Sequence, residues 1–207
     1  MLKHGSLFRY SGRISFFVLT LLLFNGCASI EHIYSQNYKK LALSHSQLTR
    51  DGLAVLPLNF TFENELYSNI AQTIFLKNLK MIQRDIDFMN PNDSAKMAKE
   101  SGVYDAYVQL SHMDFKKDVP REHLIRKVGR AMGKRFLLIP ELSDARLSEG
   151  ATQLKLRVQI WDAEIGEIVW EASEETRGYV VLIFPQTAAP LEKVMEVASI
   201  DLIRKMP

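Results

Sequence analysis

Apolar positions along the chain change period several times, and each change marks an element. Leu53 to Phe60 (LAVLPLNF) is a nearly continuous apolar run, the pattern of a strand covered on both faces. Pro57, which cannot donate to a ladder, sets that strand near an edge or bulge. From Glu65 to Lys80 the period becomes helical. Leu66, Ile70 and Ile74 recur at steps of four, with Tyr67, Ala71, Phe75 and Leu79 on the neighbouring ridge. That is the wide stripe a helix needs to lie on a sheet. Met81 to Phe88 reads as a short strand. Asn90-Pro91 supplies a helix cap and first turn, Asp93 lies near the positive end of the dipole, and Gly102 is a stop.

Residues 104–113 fit both periods: Tyr104, Tyr107, Val108 and Met113 suit a helix, and Ala106, Val108 and Leu110 a strand. Helix is the preferred reading. Pro120 to Met132 is a firmer helix, with Leu124, Ile125, Val128 and Ala131 on one side and Gly133 after it. Phe136 to Leu142 begins a strand. Leu154, Leu156, Val158 and Ile160 then alternate with Lys155, Arg157 and Gln159, as a half-buried strand should. Asp162 to Gly166 turns the chain, and Ile168, Trp170 and Ala172 alternate on the way back. Leu191, Val194, Met195, Ala198 and Leu202 line a closing amphipathic helix. The order predicts an α/β fold: a single-domain α/β sandwich with a mixed sheet, a long antiparallel hairpin near the C-terminus and that last helix.

The first residues obey another pattern. Lys3, Arg9 and Arg13 form a basic start, and Ile14 to Phe24 is apolar except for Ser15 and Thr20. That stretch is too short for a bilayer core, which takes about 20 apolar residues, but suits the apolar region of a signal peptide. It ends in Leu23-Phe24-Asn25-Gly26-Cys27, which resembles a lipobox; Gly26 and Cys27 fit, while Phe24 and Asn25 depart from the usual leucine and small residue. The expected organisation is a lipoprotein signal peptide over 1–26, then a lipidated Cys27 and flexible tether over 27–50, then a periplasmic α/β domain over 51–207. An ordinary signal peptide cut elsewhere, or an uncleaved anchor, is the alternative. Cys27 is the sole cysteine, and a lone thiol fits an oxidising compartment best when acylation occupies it. Ala28 stands where an aspartate often marks inner-membrane retention, which favours the outer membrane.

Charge then narrows the partners. Loss of residues 1–26 removes three basic residues and no acid, leaving 23 Lys and Arg against 24 Asp and Glu. The chain's basic character therefore belongs largely to its leader, which argues against nucleic acid as a partner. Enzyme motifs are missing: no G-x-S-x-G, no phosphate-cradling glycine loop, no histidine pair at metal spacing. His32 and His45 lie in the expected tether, and His112 and His123 are isolated. The expectation is a protein without catalytic residues, metal or cofactor.

Two charged stretches remain as candidates for contact. Lys116 to Arg135 carries eight basic residues, of which Arg126, Arg130 and Lys134 form one helical ridge with Lys127 beside it. A solvated helix face explains them; contact with phosphate-bearing lipid, anionic glycan or an acidic protein surface is the functional reading. The hairpin bears the opposite sign, with Asp162, Glu164, Glu167, Glu171, Glu174 and Glu175 and no basic residue between them. A basic helix and an acidic hairpin on one domain can meet head to tail between copies, closing into a ring if the rotation permits. Trp161 and Trp170 flank the turn; one is expected in the core, and Trp161 is the one expected to be exposed at an interface. Tyr179 to Phe184 is read as a last buried strand segment, with an apolar contact to membrane or partner as the rival.

The opening strand AVLPLNF (54–60), the joint GRAMGKRFLLIPEL (129–142) and the hairpin LRVQIWDAEIGEIVW (156–170), taken in that order, resemble small periplasmic lipoproteins. These are relatives of the curli-secretion lipoprotein and of the lipoprotein activator of penicillin-binding proteins. The turn D-x-x-x-G-E carries most of the likeness, which covers roughly residues 52–205. The curli-secretion lipoprotein has long insertions that form a membrane-spanning barrel, whose strands need about 9–11 residues each. Only Tyr179 to Phe184 stands between hairpin and last helix, too little chain for such an insertion. The resemblance thus implies a non-pore relative, one that regulates an envelope enzyme or forms a periplasmic collar for polymer export. The function expected is a non-enzymatic accessory or structural subunit in envelope assembly or export, bound to the membrane by its lipid, to envelope proteins and to copies of itself. A monomeric activator of an envelope enzyme is the runner-up, and a hydrolase or solute binder with a hidden site the third.

Overall fold

A computed structural model of the chain describes residues 28–39, 43–60, 65–112, 121–147, 150–180 and 187–207. The elements in chain order are strand β1 (Ala28–Lys39), helix α1 (His45–Asp51), strands β2 (Leu53–Val55) and β3 (Asn59–Phe60), and helix α2 (Glu65–Ile82). Strand β4 (Phe88–Met89) and helices α3 (Pro91–Glu100), α4 (Tyr104–Ser111) and α5 (Glu122–Met132) follow. Strands β5 (Phe136–Leu147), β6 (Thr152–Asp162), β7 (Glu167–Val180) and β8 (Thr187–Ala188) lead to helix α6 (Leu191–Ile203). The expected α/β sandwich, its mixed sheet, long hairpin and closing helix are all present.

The sheet runs β1-β7-β6-β5-β2-β4, with β3 beside β5 and β8 beside β7. β1, β7, β6 and β5 pair antiparallel, while β5, β2 and β4 pair parallel. Two cores lie on its two faces. Beneath α2 and α6 are Val55, Phe75, Leu138, Val158, Trp170 and Met195. Under α3, α4 and α5 are Ala54, Leu56, Tyr107, Val128, Leu137 and Trp161. Alternation along β6 explains the division: Leu156, Val158 and Ile160 feed the first core, Trp161 the second. A register shift between Ile160 and Trp161 falls on the partner strand, where Val169 is passed over between Ile168 and Trp170. The cap of α3 forms as its sequence dictates, Asn90 Oδ1 accepting hydrogen bonds from the backbone N–H groups of Asn92 and Asp93.

Four expectations need correction. The tether over 27–50 is mostly regular structure: β1 pairs with β7 from Ala28↔Val180 to Lys39↔Trp170, and α1 follows. Its pattern is invisible in the sequence because β1 is an edge strand. Backbone pairing with β7 holds it, and Ser29, Glu31, Ser35 and Gln36 remain exposed. Ile33, 49 % exposed, sits at a bulge that breaks the register between His32 and Tyr34. Secondly, Met81 to Phe88 is not a strand. The apolar ridge of α2 continues to Ile82, and only Phe88–Met89 pairs with β2.

Thirdly, the run Leu53 to Phe60 is two strands, broken at Leu56-Pro57-Leu58, and β2 is an interior strand between β5 and β4. Pro57 marks the break. Lastly, Trp161 is 7 % exposed and Trp170 fully buried, so the two tryptophans face opposite sides, and both are covered. The reason lies in the turn, where α5 packs over Trp161 and Ala163 in the second core. Of Tyr179 to Phe184, the first two residues end β7 half-buried and the rest lie outside the described residues, as do residues 1–27 with the expected signal peptide and Cys27.

Candidate interaction surface

The basic helix and the acidic hairpin meet within one chain. Gly129 makes this possible: a Cβ there would stand 2.1 Å from the Cβ of Ala163, so α5 crosses the turn closer than any other residue permits. The turn is fixed by Asp162, whose Oδ1 accepts the backbone N–H of Glu164, and by a 2.8 Å bond from the Gly166 N–H to the Asp162 carbonyl. Gly166 adopts φ 73°, the left-handed conformation that glycine takes without a Cβ clash.

Arg135 is the centre of the charge network. Its guanidinium donates to Asp162 Oδ2 at 2.8 and 3.0 Å, lies 3.4 Å from Asp51 Oδ2 and 3.3 Å from Glu164 Oε2. The hydrogen bond with Asp162 holds the Arg135 guanidinium above its ordinary value, despite some desolvation. Asp51 is held below the usual carboxylate range, first by its hydrogen bond from Arg50. Asp162 is almost wholly buried, so its partner matters: loss of one member of a buried pair costs roughly 3–5 kcal/mol.

The residues singled out from sequence divide accordingly. Arg126 donates to the Ile165 carbonyl at 2.8 Å, and Lys134 pairs with Asp87. Glu171 pairs with Arg157 at 2.8 Å and accepts from Gln159, whose own Oε1 accepts the Trp161 indole N–H at 3.0 Å. Glu164 leans on Arg135, and Glu167 is exposed. Lys127 and Arg130 are exposed and make no ion pair among the described residues. Together with Arg50, Arg130 borders an open cleft of about 560 Å³ between α1, α5 and the turn. The ridge thus reduces to two outward cations, because Arg126 holds the turn and Lys134 is paired with Asp87.

A second charged group was missed by sequence reasoning. Glu174, 1 % exposed, lies under β1 and α6, with Lys205 Nζ 2.6 Å from Oε2 and His32 Nδ1 2.6 Å from Oε1. His32 Nε2 reaches Asp201 at 2.9 Å. Burial pushes the Glu174 carboxyl up, but hydrogen bonds from Lys205, His32 and Ser35 outweigh it and hold the group below its ordinary value. This cluster clasps β1 to the end of α6. His45 repeats the arrangement at α1, joining Asp85 Oδ2 at 2.6 Å and the Pro207 backbone oxygen at 3.0 Å. Pairs separated by more than 140 residues leave no signal in local sequence pattern.

The sheet gives the domain two poles. β1 starts beside the end of β7 and finishes beside Trp170, near the hairpin turn. At ~3.3 Å per residue its ends stand roughly 35 Å apart. The cleft and the cations of α5 lie at the pole away from Ala28.

No protein-family model matches the sequence, and comparison with curated proteins finds no match. Among solved structures the chain is similar to PelC from Paraburkholderia phytofirmans, a dodecamer, with a TM-score of 0.50 and 12 % identity over 86 % of this chain and 96 % of that one. A variant of the same dodecamer gives 0.51 and 13 %, over 84 % and 97 %. LpoB of E. coli gives 0.40 and 15 %, over 60 % and 55 %. At 12–13 % identity the likeness to PelC shows the fold alone, a mixed α/β domain.

Proposed function

We propose that the chain is an outer-membrane lipoprotein, acylated on Cys27, that works without catalysis as a docking subunit in cell-envelope assembly or export. The observation that carries this reading is the position of β1. It begins one residue after Cys27 and runs along the sheet edge, so an acyl chain there holds the domain directly at the membrane. The α5–turn pole then faces away from that membrane, roughly 35 Å off it by the rise of β1. Its outward cations, Lys127 and Arg130, would meet an envelope protein or a second copy, and not the lipid headgroups of the anchoring leaflet. The shared fold with a dodecameric protein supports the second copy. The absence of an enzyme motif in the sequence supports docking over catalysis.

The mass of the acylated protein in mild detergent tests the assembly. A discrete multimer is expected, and Lys127→Glu with Arg130→Glu should dissociate it. Arg126 is a poor choice for reversal because its loss would free the turn. A monomer at all concentrations would overturn the multimer and point to a monomeric activator of an envelope enzyme. Failure of Cys27→Ser to release the protein from membranes would overturn the anchor.

A further inference from the structure

β2 and β4 are neighbouring parallel strands whose chains leave in opposite directions, β2 toward α2 on one face and β4 toward α3 on the other. A crevice necessarily opens between their carboxyl ends, and in open parallel sheets this switch point is where ligands bind. Here it is a cavity of about 320 Å³, at the low end of the ~300–1,000 Å³ range of small-molecule sites. Leu58, Phe60 and Val108 give it apolar walls, and among the described residues no Asp, Glu, Lys or Arg lines it. Gln72, Asn92, Tyr104 and His112 supply the polar part.

These polar groups are available. Gln72 Oε1 accepts the Leu58 N–H at 3.2 Å, which fixes the amide and leaves both its N–H groups as donors. The side chains of Asn92 and His112 and the Tyr104 hydroxyl have no hydrogen-bond partner among the described residues. The Tyr104 ring is held in place by a stacked Tyr107, centroids 6.2 Å apart, and by Lys99 at 4.8 Å over its face. Tyr107 in turn donates to the Pro91 carbonyl at 3.0 Å, tying α4 to the start of α3. Positioned donors and acceptors around an apolar floor, without a formal charge among the described residues, fit a ligand that is uncharged, hydroxyl-rich and flat on one side.

We propose that this crevice binds a neutral sugar ring, its C–H face on Phe60 and Val108 and its hydroxyl or amide groups on Gln72, Asn92, Tyr104 and His112. The site stands on the sheet topology and is independent of the lipid anchor and of any oligomer. Ligand-observed NMR on the full chain would test it, with glucose, N-acetylglucosamine, glucosamine and glucuronate as probes. The detergent must carry no sugar headgroup, since that would compete.

A single ring of roughly fifteen heavy atoms should bind with a Kd of about 1 mM, from ~0.3 kcal/mol per atom. Ala95→Trp fills the crevice from α3 and should abolish the signal. Gln72→Glu keeps the bond to Leu58 and loses the donors, so the Kd should rise at least tenfold with the melting temperature unchanged. Lys193→Ala, in the separate groove between α2 and α6, should leave binding as it was. No saturable binding of either neutral sugar at 20-fold this Kd (~20 mM), or equal or tighter binding of glucuronate or glucosamine, would overturn the proposal. So would binding that survives Ala95→Trp.

Discussion

Gly129→Ala pits two effects of known size against each other. Alanine is a better helix former than glycine by about 1 kcal/mol, and Gly129 lies inside α5, so local propensity alone calls for stabilisation. The new methyl, however, would stand 2.1 Å from the Cβ of Ala163. That atom is bound directly to the turn backbone, so no side-chain rotation relieves the contact and helix and hairpin must separate. Overpacking of this kind costs roughly 1–3 kcal/mol, and a clash this deep belongs at the upper end. The net expectation is a loss of about 1–2 kcal/mol, or a fall of ~3–6 °C in Tm for a domain of this size. Urea and thermal unfolding would measure it. Gly129→Ala with Ala163→Gly removes the opposing methyl, so the double-mutant cycle should show a coupling of about 1 kcal/mol or more in the favourable direction. A Gly129→Ala protein as stable as the wild type, or two substitutions that simply add, would refute the close approach of α5 to the turn.

Two further stability changes follow from buried groups. Trp170→Ala should cost about 3–5 kcal/mol in urea denaturation, because the side chain is fully buried in the first core. Trp170→Phe should cost only about 1–2 kcal/mol, since it also removes a buried indole N–H that has no partner among the described residues. Lys205→Met leaves Glu174 buried with His32 and Ser35 alone, and should cost roughly 2–3 kcal/mol near neutral pH, the lower end for a broken buried pair because Lys205 is partly exposed. Glu174 is depressed when folded, so its stabilisation is present above the unfolded carboxylate value and disappears as pH falls through the folded one. In Lys205→Met that acid loss should begin at a higher pH than in the wild type, which melting curves from pH 7 to 3 would detect.

The elements that bury an apolar stripe were legible in the sequence, and those held by backbone pairing or by distant charges were not. α2, α5, α6 and the β6–β7 hairpin each carry several core residues at the right period, and each stands where the pattern puts it. β1 carries no such pattern, because an edge strand of polar residues depends on the free edge of β7, a strand more than a hundred residues later. Trp161 illustrates a second blind spot. Alternation on β6 sends Trp161 to the face opposite Ile160, but only the packing of α5 on that face decides that it is covered. The charged residues were found as a cluster, whereas their division into structural and outward members rests on contacts such as Arg126 to Ile165 and Arg135 to Asp162. The switch-point crevice needs the strand order, which no local motif encodes.

The pairing of β1 with β7 bears on how the proposed docking would work. A flexible coil of 23 residues between Cys27 and the domain would span roughly 25 Å on average and leave the domain free to rotate. Each docking event would then bear the entropy of fixing that orientation, a part of the several kcal/mol that association costs. With β1 paired along the sheet edge and clasped at His32 to Glu174 and Asp201, the proposed anchor at Cys27 would adjoin the sheet with no coil between them. A copy anchored in this way would take its orientation from the sheet, and neighbouring copies on the same membrane would share one height and one orientation. Pre-alignment of this kind favours lateral association between identical domains more than it favours capture of a freely diffusing ligand. On the proposed docking the clasp has a part to play: loosening β1 by Lys205→Met should weaken assembly as well as stability, whereas Lys127→Glu with Arg130→Glu should weaken assembly alone.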